Sequence, residues 1–456
     1  MCSERYAGCD RLTVFRRRIF DEMLAWKQNM AGEYALLVEG PRRVGKTTAV
    51  KAFAEREYDT YILVDFSEPL KAVRNVFKDD YPGLDGLYRV LQQVYGTTLY
   101  ERRSVIIFDE VQMMPEARQL VKHIVADGRY DLIETGSLLS IKQNVEGILI
   151  PSEEHRIRMH PMDFEEFLWA QGNETTVPLL REAFESRRPL GAAHSYVLGL
   201  YRDYMLVGGM PQAVKAFLNT NSFEAAERAK EEVLALYIDD TVKIKRGGTK
   251  ARTLLTRIPS FLSKHEKSFR PGTIKKGSRT RDYFDAVTWL EESRTVSVCR
   301  RCTDPGPALD LSIDELCFKL YMADTGLLIT SAFSSNGGGR TELYERMLRG
   351  KLNVNRGMLL ENMVAQELSA SGHKLAFAKF KVQGVSNYQE VDFLLADGRR
   401  VIPVEVKSAA STNHKSLDRF MGKYLPKGGQ AYVIHTKDLR VDGDIVYLPV
   451  YMTMFM

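Results

Sequence analysis

Residues 40–47 read G-P-R-R-V-G-K-T, and this loop constrains the fold more than any other feature of the chain. The apolar run at 34–40 predicts a strand before it, and residues 49–56 predict a helix after it. A loop with two spaced glycines between a strand and a helix binds phosphate, because its backbone N–H groups and the helix dipole face the anion. The sequence therefore predicts an α/β domain built around a P-loop that binds ATP.

Each residue type in this loop has its own expected task. Gly40 and Gly45 let the backbone curl around the phosphates, and Lys46 reaches the β- and γ-phosphates. The hydroxyl of Thr47 is an expected Mg²⁺ ligand, so the expected cofactors are ATP and Mg²⁺. The residues expected to bind them are Gly40, Pro41, Arg42, Arg43, Val44, Gly45, Lys46, Thr47, Thr48 and Asp109.

A second motif ends a buried strand. Residues 61–66 and 104–108 are apolar runs, a pattern typical of parallel strands covered on both faces, and the second run leads into Asp109-Glu110. An acid at the carboxyl end of a central strand is where a Walker B motif lies. We expect Asp109 to hold Mg²⁺ through water and Glu110 to act catalytically by polarising the attacking water.

The strand predicted at 130–134 leads into Thr135-Gly136-Ser137. A polar side chain at the tip of the strand after Walker B can contact the γ-phosphate or the lytic water. We expect Ser137, as a catalytic candidate, to do so in preference to Thr135. The alternative is a turn in which these hydroxyls cap the backbone.

Composition excludes several classes of protein. A length of 456 residues suggests about three domains, and 44% hydrophobic with 27% charged residues is typical of soluble globular chains. No window reaches the ~18 apolar residues of a membrane helix, and the charged N-terminus lacks the apolar core of a signal peptide. Five cysteines in irregular spacing fit a reducing compartment, and the pair Cys299 and Cys302 is expected to be ordinary thiols in preference to a metal site. We expect a cytoplasmic protein without a membrane partner.

The middle of the chain changes pattern twice. Helical periodicity from about 178 to 240 is expected of a helical lid. After it, the pattern predicts two helices, at 252–263 and 280–291, and two strands, at 295–300 and 316–322. Helices followed by a two-stranded wing are the element order of a winged helix.

Positive charge is concentrated in the same region. Residues 241–281 contain thirteen Lys and Arg but only one acid, Glu266, a charge of +12 in a chain whose total is +5. The segment either meets a polyanion or is a solvated basic surface. We favour DNA over a protein partner, because a recognition helix would meet phosphates at its N-terminus. The residues nearest that N-terminus are Lys275, Lys276, Arg279 and Arg281.

Seven short motifs are spread through the chain. They are G-P-R-R-V-G-K-T (40–47), F-D-E-V-Q (108–112), T-G-S-L-L (135–139), H-P-M-D-F-E-E-F (160–167), Y-M-L-V-G-G-M-P (204–211), F-K-L-Y-M-A-D-T-G-L (318–327) and L-L-E-N-M-V-A-Q-E-L (359–368). Together they resemble a large, mostly uncharacterised family of bacterial and archaeal AAA-type ATPases. The resemblance implies an AAA-type P-loop core at 1–170, a helical lid at 171–250, a winged helix at 251–335 and an α/β PD-(D/E)xK nuclease-like domain at 336–456.

The C-terminal part contains a hairpin pattern with polar residues at nuclease-like spacing. Strands at 390–396 and 400–407 flank an Asp-Gly turn, and Asp392, Glu405 and Lys407 fit D-x12-E-x-K. Glu405 and Lys407 share a strand face because they are two residues apart. The spacing of these three residues alone favours an ordinary hairpin with polar residues on its solvent-exposed face. It is the resemblance that implies a nuclease-like site.

In that site, Asp392 and Glu405 are expected to hold Mg²⁺ while Lys407 orients the water or steadies the phosphorane charge. Glu361, on a helix predicted at 356–369, adds a further ligand. We therefore carry two hypotheses. The first is an ATP-dependent enzyme acting on DNA; the second is a nucleotide-switch signalling or scaffold ATPase with a catalytically inactive module. DNA is the expected partner, and a homo-oligomer is left open.

Overall fold

The computed structural model describes residues 14–78, 81–136, 152–242, 244, 247–264, 266–333, 356–382, 387–398, 400–408 and 414–456. The chain divides into two compact units. The first comprises Met1–Glu39 and Gly45–Met159, and the second comprises Gly40–Val44 and His160–Met456.

The first unit contains a five-stranded sheet in which every pairing is parallel. Its strands are β1 (Ala35–Glu39), β2 (Thr60–Asp65), β3 (Ser104–Asp109), β4 (Asp131–Gly136) and β5 (Glu154–Arg158), in the order β2-β3-β4-β1-β5. All residues of β1, β3 and β4 are buried, because these strands lie inside the sheet with both faces covered. The prediction of an α/β core with parallel strands is confirmed.

Helices pack on this sheet around an apolar core. An edge-to-face cluster of Phe66, Phe77 and Phe108, with ring centroids 5.3 to 5.6 Å apart, contributes to that core. Arg118 is buried and lies 2.6 Å from both Glu134 and Glu154, so its charge is compensated. The helices of this unit are α1 (Ile19–Asn29), α2 (Lys46–Glu57), α3 (Lys71–Lys78), α4 (Gly83–Tyr95) and α5 (Pro115–Asp127).

The second unit begins with the predicted helical region. The N-terminus of its first helix is fixed by a capping box, in which the Asp163 carboxylate accepts from the Glu166 N–H and the Glu166 carboxylate accepts from the Asp163 N–H. The helices of the unit are α6 (Phe164–Ala170), α7 (Thr176–Ser186), α8 (Ala193–Val207), α9 (Pro211–Thr220), α10 (Phe223–Val242), α11 (Gly248–Leu262), α12 (Phe284–Glu292), α13 (Thr325–Ala332), α14 (Arg356–Ala370) and α15 (Lys415–Tyr424).

Four of the motifs that carry the family resemblance meet in the core of this unit. Tyr204 Oη donates 2.7 Å to the carbonyl of Met162 and accepts 2.7 Å from Gln366 Nε2. Gly209 is required where it stands, because a Cβ there would lie 2.1 Å from the carbonyl oxygen of Met162. The Asp324 carboxylate accepts from the N–H of Gly209. These motifs therefore preserve packing in the second unit.

The second unit also contains a mixed sheet of eight strands. β6 pairs with β8, and β11 with β10 and β13, in parallel, whereas the other pairs are antiparallel. The strands are β6 (Val296–Cys302), β7 (Ile313–Met322), β8 (Ala376–Phe380), β9 (Gln389–Asp397), β10 (Arg400–Val406), β11 (Ala431–His435), β12 (Arg440–Asp442) and β13 (Ile445–Pro449), in the order β12-β13-β11-β10-β9-β8-β6-β7.

The two strands expected to form a wing belong to this sheet. β6 and β7 do form an antiparallel pair, but β6 also pairs with β8, with Arg300 opposite Ala376. The pair is therefore an edge of the eight-stranded sheet, which extends across the domain boundary expected at 335/336. The physical reason is that β6 and β7 place apolar side chains such as Val298 and Leu320 in a core, which a free wing does not provide.

The predicted hairpin is present with a small shift. Asp397 pairs with Arg400, so the turn begins at Gly398, one residue later than expected, and Gly398 adopts the left-handed φ of +57°. Cys299 and Cys302 are buried free thiols on β6, and Cys317 on β7 is also free. Within the described part of the chain, no helix is both long and apolar enough to cross a membrane.

Candidate functional site

Of the two glycines in the loop at 40–47, Gly45 adopts a left-handed backbone conformation and Gly40 does not. Gly45 has a φ of +98° and caps α2, which begins at Lys46. Arg43 also adopts a left-handed φ, +66°. The motif did not predict this conformation at a residue other than glycine. Gly40, Pro41, Val44 and Lys46 are buried, Gly45 is half-buried, and Arg42, Arg43, Thr47 and Thr48 are exposed.

The two ATP motifs meet at Asp109. Thr47 Oγ1 lies 2.9 Å from both carboxylate oxygens of Asp109, and Thr135 Oγ1 donates to Asp109 Oδ1. Burial raises the pKa of Asp109, and the hydrogen bonds from Thr135 and Thr47 oppose that rise. A buried carboxylate at the end of β3 beside a hydroxyl in the first turn of α2 is a donor set that suits Mg²⁺.

Glu110 follows Asp109 with a φ of +52°, which turns its side chain away from the strand alternation. Its N–H donates 3.2 Å to Thr135 Oγ1, and the Gln112 amide donates to its carboxylate. Thr135 thus contacts both acidic residues of the second motif. Gln112 is a residue that the motif reading missed as a partner of Glu110.

Ser137, the expected contact at the end of β4, lies outside the described residues. Thr135, the less favoured choice, occupies the central position of the site. The strand register explains this position: Phe108 pairs with Glu134, so the next residues, Asp109 and Thr135, fall on one face.

The first residues of the loop have contacts within the second unit. Tyr237 Oη, on α10, donates 3.0 Å to the carbonyl of Arg42, and Arg42 Nη1 lies 3.0 Å from Asp240 Oδ1. The guanidinium of Arg42, expected among the nucleotide ligands, is therefore paired with a carboxylate.

The nuclease-like residues lie at the hairpin of β9 and β10. Asp392 Oδ2 accepts 2.8 Å from the N–H of Val406, and Lys407 Nζ donates 2.6 Å to Glu405 Oε1. Phe393 pairs with Val404, so Asp392 and Glu405 face each other on one side of the sheet. Burial raises the pKa of Glu405 to about 7, with Asp392 adding to the rise and Lys407 opposing it.

A buried lysine joins these residues to Glu361. Lys319 Nζ is 3.3 Å from Glu361 Oε1, 2.7 Å from Glu390 Oε1 and 3.7 Å from Asp392 Oδ1. Burial lowers the pKa of Lys319, but Glu390 and other neighbouring anionic groups outweigh it and hold that pKa well above its ordinary value. Lys319 is therefore a charged ammonium enclosed by carboxylates.

Glu361 has two further partners. Tyr321 Oη donates 2.5 Å to Glu361 Oε1, and Lys267 Nζ contacts Glu361 Oε2. Lys267 comes from the basic segment, so that segment contributes an ammonium to this group of side chains. We call the group the carboxylate cluster; it consists of Glu361, Glu390, Asp392, Glu405, Lys267, Lys319, Lys407 and Tyr321.

The cluster brings together all four expected nuclease-like residues. The positive charge within it, however, comes from lysine side chains. Over the residues described, no set of three or more His, Cys, Asp or Glu is arranged to hold a metal ion. The metal role expected of Asp392 and Glu405 stays a prediction. Sequence reasoning missed Lys319, although a lysine inside the apolar run 318–322 was a signal of a buried partner.

The basic residues expected at a recognition helix lie on a short irregular segment before α12. Lys275, Lys276, Arg279 and Arg281 are all exposed. A 3₁₀ turn spans Thr280–Tyr283, and the α-helix itself begins at Phe284, four residues later than expected. The positive charge thus precedes the helix and is open to solvent.

Three family descriptions match separate parts of the chain. Residues 32–168 match "AAA domain", residues 198–336 match "Domain of unknown function (DUF8612)" and residues 356–452 match "Domain of unknown function (DUF4143)". The match of residues 32–168 supports an AAA-type domain that binds ATP in this part of the chain.

Similarity to individual proteins is weak. An uncharacterized protein of Haemophilus influenzae is 22% identical over 332 residues, which is 70% of each chain. The solved structure of PCH-2 from C. elegans has 12% identity and a TM-score of 0.29, covering 47% of this chain and 69% of that one. Cdc6p from Pyrobaculum aerophilum has 14% identity and a TM-score of 0.25, covering 76% and 98%.

Replacing Thr135 tests its role beside Asp109. Thr135→Val keeps the shape of the side chain but removes a hydrogen bond to a charged group, worth roughly 1.5–3 kcal/mol. We expect ATP affinity measured with Mg²⁺ to fall at least about tenfold, while affinity measured with EDTA is unchanged. Thr135→Ser, which keeps the hydroxyl, should behave as wild type. Equal affinities for Thr135→Val and wild type with Mg²⁺ would show that Thr135 only packs.

Proposed function

We propose that this chain binds and hydrolyses Mg-ATP in its AAA domain and uses the nucleotide cycle to drive or gate action on DNA by its second unit. The contact of Thr47 and Thr135 with Asp109 carries the first half of the proposal. Exposed basic residues and the carboxylate cluster carry the second half.

Thr47 and Asp109 are the residues that would hold Mg²⁺. When bound, the ion neutralises charge on the phosphates and supports phosphoryl transfer. The protein keeps Asp109 buried and orients its carboxylate through hydrogen bonds with two hydroxyls. The carboxylate therefore needs no rearrangement when the ion binds. Lys46, buried at the start of α2, supplies positive charge for the phosphates.

Glu110 is the residue we assign to the attacking water. Its N–H is held by Thr135 and its carboxylate by Gln112, which fixes the position of a potential proton acceptor next to Asp109. A carboxylate that polarises water acts in hydrolysis and makes no phosphate contact in the ground state. Binding and turnover therefore depend on different residues.

This division gives a paired prediction. Lys46→Ala should abolish ATP binding, because it removes a ground-state phosphate contact, whereas Glu110→Gln should bind ATP but stop hydrolysis. Binding is measured with a fluorescent ATP analogue and turnover by phosphate release. Lys51→Ala, which removes an exposed lysine from the same helix, is the control and should behave as wild type. Wild-type turnover in Glu110→Gln would contradict the role of Glu110.

DNA engagement is assigned to the exposed basic segment. Phosphate contacts release counterions, so each one steepens the fall of affinity with salt. Arg270 is paired with Glu266, whereas four basic residues before α12 are exposed. They are Lys275, Lys276, Arg279 and Arg281.

Changing these four residues to Ser should flatten the plot of log affinity against log salt by roughly 0.9 per lost contact on duplex DNA. Fluorescence anisotropy across a salt series measures the slope. A matched control changes four exposed basic residues of the first unit to Ser. They are Lys71, Arg74, Arg89 and Lys122. If both quadruple variants keep the wild-type slope, the segment is solvated surface.

Cleavage of DNA is assigned to the carboxylate cluster. Asp392 and Glu405 face each other beside Lys407, the set that would hold Mg²⁺ and orient water for hydrolysis of a phosphodiester. One observation favours the alternative, a module that binds without cutting: Lys319 is fully buried and already forms ion pairs with Glu361, Glu390 and Asp392.

A nuclease assay separates the two candidates. Linear, branched and single-stranded DNA are incubated with Mg²⁺ or Mn²⁺, with and without ATP, and products are resolved on denaturing gels. The cutting hypothesis predicts products with the wild type and none with Asp392→Asn. Glu315→Gln, which changes an exposed carboxylate on β7, is the control and should cut as the wild type does. Absence of products from the wild type with either metal would assign the cluster to the binding-only module.

A further inference from the structure

We propose that Tyr388 and the lysines around it form a stacking site for an unpaired base of single-stranded DNA, which leads the strand to the carboxylate cluster. This inference rests on the proposed action on DNA and names the form of DNA that the second unit engages. It holds whether the cluster cuts or only binds.

The first observation is the exposure of Tyr388. The residue directly precedes β9 and is 53% exposed, so its large ring faces water. Lys381 Nζ lies 5.0 Å and Lys379 Nζ lies 5.6 Å from the ring centroid. An aromatic face bordered by ammonium groups provides stacking for a base and charge for its phosphates.

The second observation is that more positive charge adjoins the ring. Lys423 Nζ donates 3.3 Å to the carbonyl of Lys381, so a third ammonium from α15 lies near the end of β8. Arg419, on the same helix, lies 2.7 Å from the side-chain oxygen of Gln389, the residue after Tyr388. Glu266 pairs with Lys379 and offsets part of this charge, but the remaining cations favour a polyanion over an apolar partner.

The third observation is direction along the strand. Side chains two residues apart in a strand share a face, so Glu390 and Asp392 lie on one side of β9, and Tyr388 directly precedes that strand. Glu390 and Asp392 belong to the carboxylate cluster, and Lys379 pairs directly opposite Glu390. A strand whose base stacks on Tyr388 thus has its next phosphates placed toward the cluster.

A single strand is favoured over a duplex because the proposed contact is with the face of a base. In a duplex the faces are covered by neighbouring base pairs, whereas an unpaired base is free to stack. An acidic polypeptide is negatively charged like DNA but has no unpaired bases that could stack on Tyr388. Its binding would depend on the lysines and not on the tyrosine.

The test measures binding of a labelled oligothymidylate and of a labelled duplex of the same length to the full chain. Tyr388→Ala should weaken single-strand binding roughly 5- to 100-fold, the range for loss of one stacked base, and change duplex binding much less. Tyr388→Phe keeps the ring and should restore single-strand affinity. Tyr100→Ala is the matched control, since Tyr100 is 45% exposed in the first unit with Arg103 Cζ 5.1 Å from its ring centroid. Thermal unfolding of each variant checks that it is folded.

The outcomes separate the two proposals. If the wild type binds DNA but Tyr388→Ala binds single strands as tightly as wild type, the stacking site is overturned and the proposed action on DNA stands. If the wild type binds neither probe, the action on DNA itself fails. Displacement of the oligonucleotide by polyglutamate as effectively as by unlabelled oligothymidylate would also overturn the site, because it would show recognition of charge alone.

Discussion

Parallel pairing of β4 with β1 on one side and with β3 on the other is the constraint on which the nucleotide site depends. Strands that run the same way end at the same edge of a sheet, so the loop after β1, Asp109 at the end of β3 and Thr135 near the end of β4 gather there. A slip of one residue in the β3–β4 register would turn Thr135 to the opposite face. The chemistry of the first unit is thus set by backbone pairing, before any side chain acts.

Much of this unit could be predicted because its central strands are buried on both faces. Runs such as 105–108 are wholly apolar, a pattern that indicates a buried strand. The choice between Ser137 and Thr135 was harder, since it depends on how β3 and β4 pair. Motif spacing describes positions along one strand, whereas the contact of Thr135 with Asp109 is set between two strands.

In the second unit, local sequence patterns were not sufficient to predict how the strands assemble into a sheet. The helices and strands expected at 252–322 are present, but a pattern of two helices and two strands does not show which sheet the strands join. β6 pairs with β8, which lies more than seventy residues further along the chain. In the same way, the sequence predicted Asp392 and Glu405 at the hairpin and could not show that Lys319 from β7 lies among them. Such contacts between distant segments carry no signature at either position alone.

The charges of the carboxylate cluster determine how a metal ion could enter it. Four carboxylates, those of Glu361, Glu390, Asp392 and Glu405, are balanced by the ammonium groups of Lys267, Lys319 and Lys407, so little net negative charge is left for a divalent cation. Lys319 has no exposed side-chain surface and cannot leave without disturbing the sheet face, but the Lys267 side chain is 19% exposed. Lys267 also belongs to the basic segment. Phosphates that draw this ammonium away from Glu361 would leave the cluster more negative, and a cation would then be bound more strongly. If the cluster holds a metal ion, as proposed, its affinity for that ion would depend on whether a polyanion is present.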